Sequence, residues 1–176
     1  MEQRVVTLFH HSLEATMNAG EILAPLIAEA SEMVVHTLLA ESKILLCGNG
    51  VSGALAQSFS SQLTGGFQRE RPGLPAMALN SDGVSMGTVA QNHGSADTFA
   101  HPVRALGQPG DLLIIISSDG GDSTWYKLCA PPETATWESW PSPVEMVAIA
   151  LPSWITTILN CACLPMSQQR YTKYTF

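Results

Sequence analysis

Glycine and aspartate run out before the chain does. Of 176 residues, all 14 glycines lie at or before Gly121, and all the aspartates at or before Asp122. A stretch of some fifty residues in an ordinary globular chain holds about three or four glycines. Residues 124–176 therefore break in composition from what precedes them. Tryptophan does the reverse, since Trp125, Trp137, Trp140 and Trp154 all fall after the break, as do six of the 11 prolines. This tail lacks the composition of a disordered segment, being rich in Trp, Ile, Leu and Cys.

Basic side chains are scarce as well. Eight Lys and Arg against 15 Asp and Glu leave a net charge of −7. That argues against a nucleic-acid backbone as a direct partner, which needs clustered cations. No charged-then-apolar leader with a small-residue cleavage site opens the chain, and no uninterrupted apolar run has the length of a membrane span. The four cysteines, Cys47, Cys129, Cys161 and Cys163, form no CxxC pair. A reduced, cytoplasmic protein without membrane contact is the simplest expectation. The length suits one domain with a core of its own.

What is present alternates strands with helices. Residues 1–42 read as a helical pair, punctuated by Gly20 and Pro25. Lys43 to Cys47 is a short apolar run ending in Gly48-Asn49-Gly50, as a buried strand feeding a glycine turn does. Ser52 to Leu63 reads as a helix and Pro75 to Leu79 as a second strand. Ser81 to Leu106 reads as two short helices broken near Asn92 to Ser95. Leu112 to Ile116 is a third strand, running into Ser117, Ser118 and Asp119. The implied fold is α/β, a parallel sheet with helices on both faces. In such sheets ligands sit at the carboxyl ends of strands, where both glycine-bearing loops lie.

In the loop Gly48-Asn49-Gly50-Val51-Ser52, glycine permits close backbone approach, and the following helix offers free N–H groups to an anion. The plain alternative is a strand-to-helix turn with Ser52 as its N-cap. In the second loop Ser117 and Ser118 are hydroxyl donors, but Asp119 and Asp122 repel a phosphate unless a cation intervenes. His10 and His11 read as solvated helix positions. His93 and His101 lie near the helix break. Cys161 and Cys163 form a CxC without the second pair that zinc requires.

The strings ILLCGNGVSGALAQSFSSQL, FQRERPGLPAMALNSD and RALGQPGDLLIIISS resemble the SIS (sugar isomerase) domain of the phosphoheptose isomerases and of their relatives, the DnaA initiator-associating proteins. The likeness runs from about Gln3 to Ser123. It implies a flavodoxin-like, three-layer SIS fold with a five-stranded parallel sheet, assembled as a homotetramer with a phosphosugar held between subunits. It makes 43–123 the SIS core. By resemblance Asn49, Gly50, Val51 and Ser52 form the first substrate loop, Ser117, Ser118 and Asp119 the start of the phosphate loop, and Asn92 part of the family's Asn-Asp segment.

The departures bear on function. Where the isomerases carry a metal-binding His and a catalytic, metal-binding Glu, this chain has Ser58 and Gln62. Serine is a poor zinc ligand, and glutamine cannot take a proton as an enolisation base. Val51 stands where the isomerases have glycine. No cofactor is expected on this reading; zinc belongs only to the isomerase alternative. The expected role is that of a non-catalytic phosphosugar-binding protein, in the manner of the DnaA initiator-associating proteins, with the initiator DnaA as a partner. The alternatives are sedoheptulose 7-phosphate isomerase, feeding heptose synthesis for lipopolysaccharide, and a degenerate product without activity.

The tail of 124–176 has a mechanical explanation. Back-translated and read from the third base of each codon, it permits a helix, a buried strand and a glycine turn of the family's kind. Trp140-Pro141 then forces Ala, Met146-Val147 forces Gly, and Trp154-Ile155 forces Asp. On this reading a one-base shift scrambles the tail and leaves the third strand with a bare apolar edge. Val144, Met146, Val147, Ile149 and Leu151 are the residues able to pair with that edge. The scrambled C-terminal strands would then be lost to the fold.

Overall fold

The computed structural model describes residues 1–117, Thr124 and Leu128, and the strand backbones Val144–Ala150 and Thr157–Asn160. A long helix α1 (Glu2–Leu39) opens the chain. It is followed by β1 (Ile44–Gly48), α2 (Val51–Gly65), β2 (Ala76–Ala78), α3 (Gly83–His93), α4 (Ala100–Leu106), β3 (Asp111–Ser117), β4 (Val144–Ala150) and β5 (Thr157–Asn160). Single 3₁₀ turns at Leu79–Ser81 and Ser95–Asp97 lead into α3 and α4.

The sheet order is β2-β1-β3-β4-β5. The first four strands pair in parallel, with Ile44 opposite both Ala76 and Leu112, and Asp111 opposite Val144. β5 joins β4 antiparallel, where the resemblance implies a fully parallel sheet. The edge of β3 expected to be bare is paired along its whole length by β4, the segment singled out as able to do so.

β1 and β3 are buried at every position, which is why they read as unbroken apolar runs rather than as alternating ones. Their side chains alternate between two cores. Ile44, Leu46, Leu112, Ile114 and Ile116 pack under α1 and α2, meeting Ala30, Met33, Val34, Phe59 and Leu63. Leu45, Cys47, Leu113 and Ile115 face the other way, against Leu79, Phe99, Val103, Met86 and Leu128. The result is three layers, as the α/β pattern requires.

The expected helical pair is instead one helix of 38 residues with Pro25 inside it. Proline removes one backbone donor and crowds the preceding turn. Here packing on both sides carries the helix through: Leu23 is buried just before Pro25, and Ala30, Met33, Val34 and Leu38 sit on the sheet just after it. By length and composition α1 would also reach across a bilayer, with a mean hydropathy of 1.5 over 18 residues, although the sequence shows no unbroken apolar run. In its C-terminal half Ala30, Met33, Val34 and Leu38 pack on the sheet, while Ile22, Ile27, Val35 and Leu39 stay exposed.

At the end of the sheet opposite the loops, the Lys43 ammonium contacts the buried Asp111 carboxylate at 2.5 Å. The Lys43 and Gln108 backbone N–H groups donate to the same carboxylate at 3.0 and 2.7 Å. Burial works against the charged form of Asp111, but these donors and the Lys43 charge outweigh it and hold the carboxyl below its usual range. This cluster ties the start of β1 to the start of β3.

Candidate functional site

The loop after β1 is shaped by close contacts. A Cβ on Gly48 would come within 2.6 Å of the Ser52 carbonyl carbon and 2.8 Å of Ile116 O, so the strand tip, the first turn of α2 and β3 are in van der Waals contact there. Gly50 adopts φ +54°, a left-handed conformation suited to glycine. It is also the N-cap of α2, with no side chain to cap it. Ser52 therefore lies inside the first turn and is buried, and the plain reading of Ser52 as the N-cap is corrected. The turn is closed by the Ser52 N–H donating to Asn49 O and the Gly53 N–H donating to Gly50 O, both at 3.0 Å. Val51 is exposed.

Asn80 braces this loop from the side. The Gly48 N–H donates to its Oδ1 at 3.1 Å, and its Nδ2 donates to Gly48 O at 2.6 Å. Gln57 Nε2 on α2 donates to Asn80 O at 3.1 Å. From across the sheet Asn49 Nδ2 donates to Thr124 Oγ1 at 3.0 Å, and Thr124 is buried. Ser117 ends β3 one residue past Ile116, the register partner of Gly48, and is buried at the same edge. Asn49, Gly50, Ser52 and Ser117 are thus brought together at the carboxyl ends of β1 and β3. Ser118 and Asp119 lie outside the described residues. Asn92 is exposed on the last turn of α3, apart from this hydrogen-bonded cluster.

Ser58 and Gln62 lie one turn apart on the exposed side of α2, joined by a bond of 3.5 Å from Gln62 Nε2 to Ser58 Oγ. A hydroxyl and a neutral amide are a poor donor set for zinc. Among the described residues no group of three or more His, Cys, Asp or Glu is placed to hold a metal ion. His93 and His101 stack on each other, with ring centroids 4.0 Å apart, across the break between α3 and α4. His10 and His11 are exposed on α1. Burial pushes the Cys47 thiol well above its ordinary pKa, so the cysteine beside the loop is a packing group and not a nucleophile. The CxC of Cys161 and Cys163 lies outside the described residues.

Sequence reasoning passes over Asn80, Gln57 and Thr124. The only signal for Asn80 is a polar residue directly after an apolar strand. Thr124 falls at the start of the anomalous tail.

A family model for the SIS domain matches residues 9–129. Over 122 residues the chain is 43% identical to the phosphoheptose isomerase of Chromohalobacter salexigens, covering 69% of this chain and 62% of that one. Over 119 residues it is 45% identical to the phosphoheptose isomerase of Halorhodospira halophila, covering 68% and 60%. The chain thus spans about three fifths of the length of these relatives. Among solved structures it is similar to phosphoheptose isomerase GmhA from Neisseria gonorrhoeae, with a TM-score of 0.70 and 31% identity over 84% of this chain and 73% of that one. A phosphoheptose isomerase from Francisella tularensis gives a TM-score of 0.72 and 29% identity, over 85% and 74%.

Proposed function

The chain belongs to the SIS-domain family, and from that premise we propose that it binds a sugar phosphate of the phosphoheptose class and holds it without turning it over. The carrying observation is the braced loop Gly48–Ser52 beside Ser117. It gathers the N-terminus of α2, the Asn49 amide and the buried Ser52 and Ser117 hydroxyls at the carboxyl ends of β1 and β3. Such a grouping suits a phosphorylated polyol, because helix N-termini favour anions and small polar side chains read hydroxyls. The missing step is the proton transfer of aldose–ketose isomerisation. Gln62 cannot accept that proton, and Ser58 with Gln62 does not make a zinc site, so the proposed role includes no metal-dependent step.

The test is titration calorimetry of the folded chain with sedoheptulose 7-phosphate, with and without a chelator, alongside zinc analysis and a turnover assay. Binding indifferent to the chelator, with no turnover, is the expected result. A folded sample that binds nothing would sink the reading. Turnover with bound zinc would favour the second reading, that the chain is itself a phosphoheptose isomerase, which the names of its relatives support.

The finer reading as a DnaA initiator-associating protein rests on Ser58 and Gln62, and none of the relatives named above carries that description. Retention of the initiator on the immobilised, folded chain would support it, and its absence would remove it. Self-association along the exposed face of α1 completes the proposal.

A further inference from the structure

We propose that Asn80 is the positioning residue of the phosphosugar loop, its side-chain amide standing in for a missing residue of strand β2. β2 pairs with β1 as Ile44↔Ala76, Leu45↔Met77 and Leu46↔Ala78. Two residues further, the same register would set the backbone of residue 80 against Gly48. The chain has by then left the sheet through the 3₁₀ turn Leu79–Ser81. The backbone donor and acceptor at the tip of β1 would lose their partner strand, which is costly at a buried position. The Asn80 side chain supplies both partners. Its Oδ1 accepts from the Gly48 N–H at 3.1 Å, and its Nδ2 donates to Gly48 O at 2.6 Å. Near neutral pH, among the side chains, a carboxamide offers a neutral donor and acceptor side by side in this way, where an ionised carboxylate only accepts.

Two features elsewhere serve the same side chain. Gln57 fixes the Asn80 carbonyl from α2. Gly53 leaves the room that Asn80 occupies, for a Cβ there would stand 2.7 Å from Asn80 Nδ2. The backbone of β2 can therefore turn away early and leave the end of β1 without a strand on that side, while Gly48 stays fixed. Gly48 in turn sets the direction of Asn49, Gly50 and the first N–H groups of α2. Asn80 acts on a bound ligand through Gly48 rather than by touching it, and this role rests on the reading of the loop as a phosphosugar site.

Asn80→Asp separates positioning from folding. The aspartate keeps the acceptor for the Gly48 N–H, loses the donor, and sets a carboxylate against Gly48 O. Protonating that carboxyl restores an O–H donor. Affinity for sedoheptulose 7-phosphate should fall by about tenfold or more near neutral pH, the loss of one buried hydrogen bond and the strain it leaves. It should recover toward that of the unsubstituted chain at the same acidic pH. Asp111→Asn, which weakens the far end of the sheet, should lower thermal stability and leave affinity unchanged. Hydrogen exchange over 44–56 provides a readout without ligand, and Asn80→Asp should speed exchange there more than Asp111→Asn does. Unaltered exchange in this segment, or a loss of affinity that acid does not relieve, would overturn the role of Asn80. If the unsubstituted chain binds no sugar phosphate, the functional reading fails, and the exchange measurement still decides for or against Asn80.

Discussion

Gly48 and Gly53 are fixed as glycine by what surrounds them, and Gly20 is not. A Cβ on Gly53 would stand 2.7 Å from Asn80 Nδ2 and 2.8 Å from Gly48 O, so alanine must expel the Asn80 brace or displace α2. Overpacking of this kind costs about 1–3 kcal/mol. Gly48→Ala should cost more than Gly53→Ala, because each of its nearest neighbours, at 2.6, 2.7 and 2.8 Å, is unyielding backbone. Gly20 lies within α1 with nothing within 4 Å of a built Cβ. There the same substitution should stabilise by roughly 0.5–1 kcal/mol, the helix-propensity gap between the two residues. Urea midpoints for the three variants should move down for Gly48 and Gly53 and up for Gly20. A midpoint for Gly53→Ala at or above that of the unsubstituted chain would show that the loop does not have this geometry.

Among elements, β1 and β3 hold the molecule together and are the most legible in the sequence. Central parallel strands are buried on both faces, so Ile44–Gly48 and Asp111–Ser117 announce themselves as apolar runs. The loop after β1 is legible from Gly48-Asn49-Gly50 for the same local reason. Its support is not. Asn80 and Thr124 reach it from 32 and 75 residues away, through strand register and the crossing of the chain, which spacing in the sequence does not encode. Pro25 misleads because its local cost says nothing of the tertiary packing that overrides it.

The tie between the two strands makes a pH prediction. The Asp111 carboxyl titrates below its ordinary value in the folded chain. Its contribution to stability is complete above the unfolded value of about 3.9 and is lost as pH falls through the lower folded value. Asp111→Asn removes that contribution and should destabilise by about 1–3 kcal/mol at neutral pH. It should also flatten the acid limb of the stability profile. Some slope should remain, because Asp82 is shifted the same way, chiefly by the Ser85 side chain and then by its backbone N–H. Denaturant unfolding between about pH 2 and pH 7 checks this. Profiles for the two proteins that run parallel throughout would remove Asp111 from the account.

The whole molecule leaves one long surface to explain. Sequence likeness covers 69% of the chain, yet likeness to solved structures reaches 84%. β4 occupies the edge of β3 that would otherwise be bare. The outer face of α1 has no such cover among the described residues. Val6, Met17, Ala28 and Leu39 repeat every eleven residues along it, interleaved with Leu13, Ala24 and Val35 at the same period, and all seven are exposed. At 100° per residue this seam lies roughly 130° around the helix from the face that packs on the sheet. An eleven-residue period is close to the natural turn of a straight helix, so the seam stays on one face for the full length of about 57 Å. On the proposed self-association, a second copy of the chain would cover this surface. Seven apolar positions carry the seam, with His10, Glu21 and Glu32 beside them, and two antiparallel copies related by a twofold axis would each bury it against the other. A helix of this length can supply the roughly 1,600 Å² that a stable interface requires. Light scattering behind gel filtration should therefore find a multimer. The double substitution Leu13→Glu with Met17→Glu, at neighbouring seam positions that lie clear of the sheet, should shift it to monomer while leaving the helical circular dichroism and the unfolding midpoint nearly unchanged. A chain that runs as a monomer at about 100 μM, well above the dissociation constants of specific interfaces of this size, would show that α1 does not serve self-association. A multimer indifferent to both substitutions would move the interface to another face of the molecule.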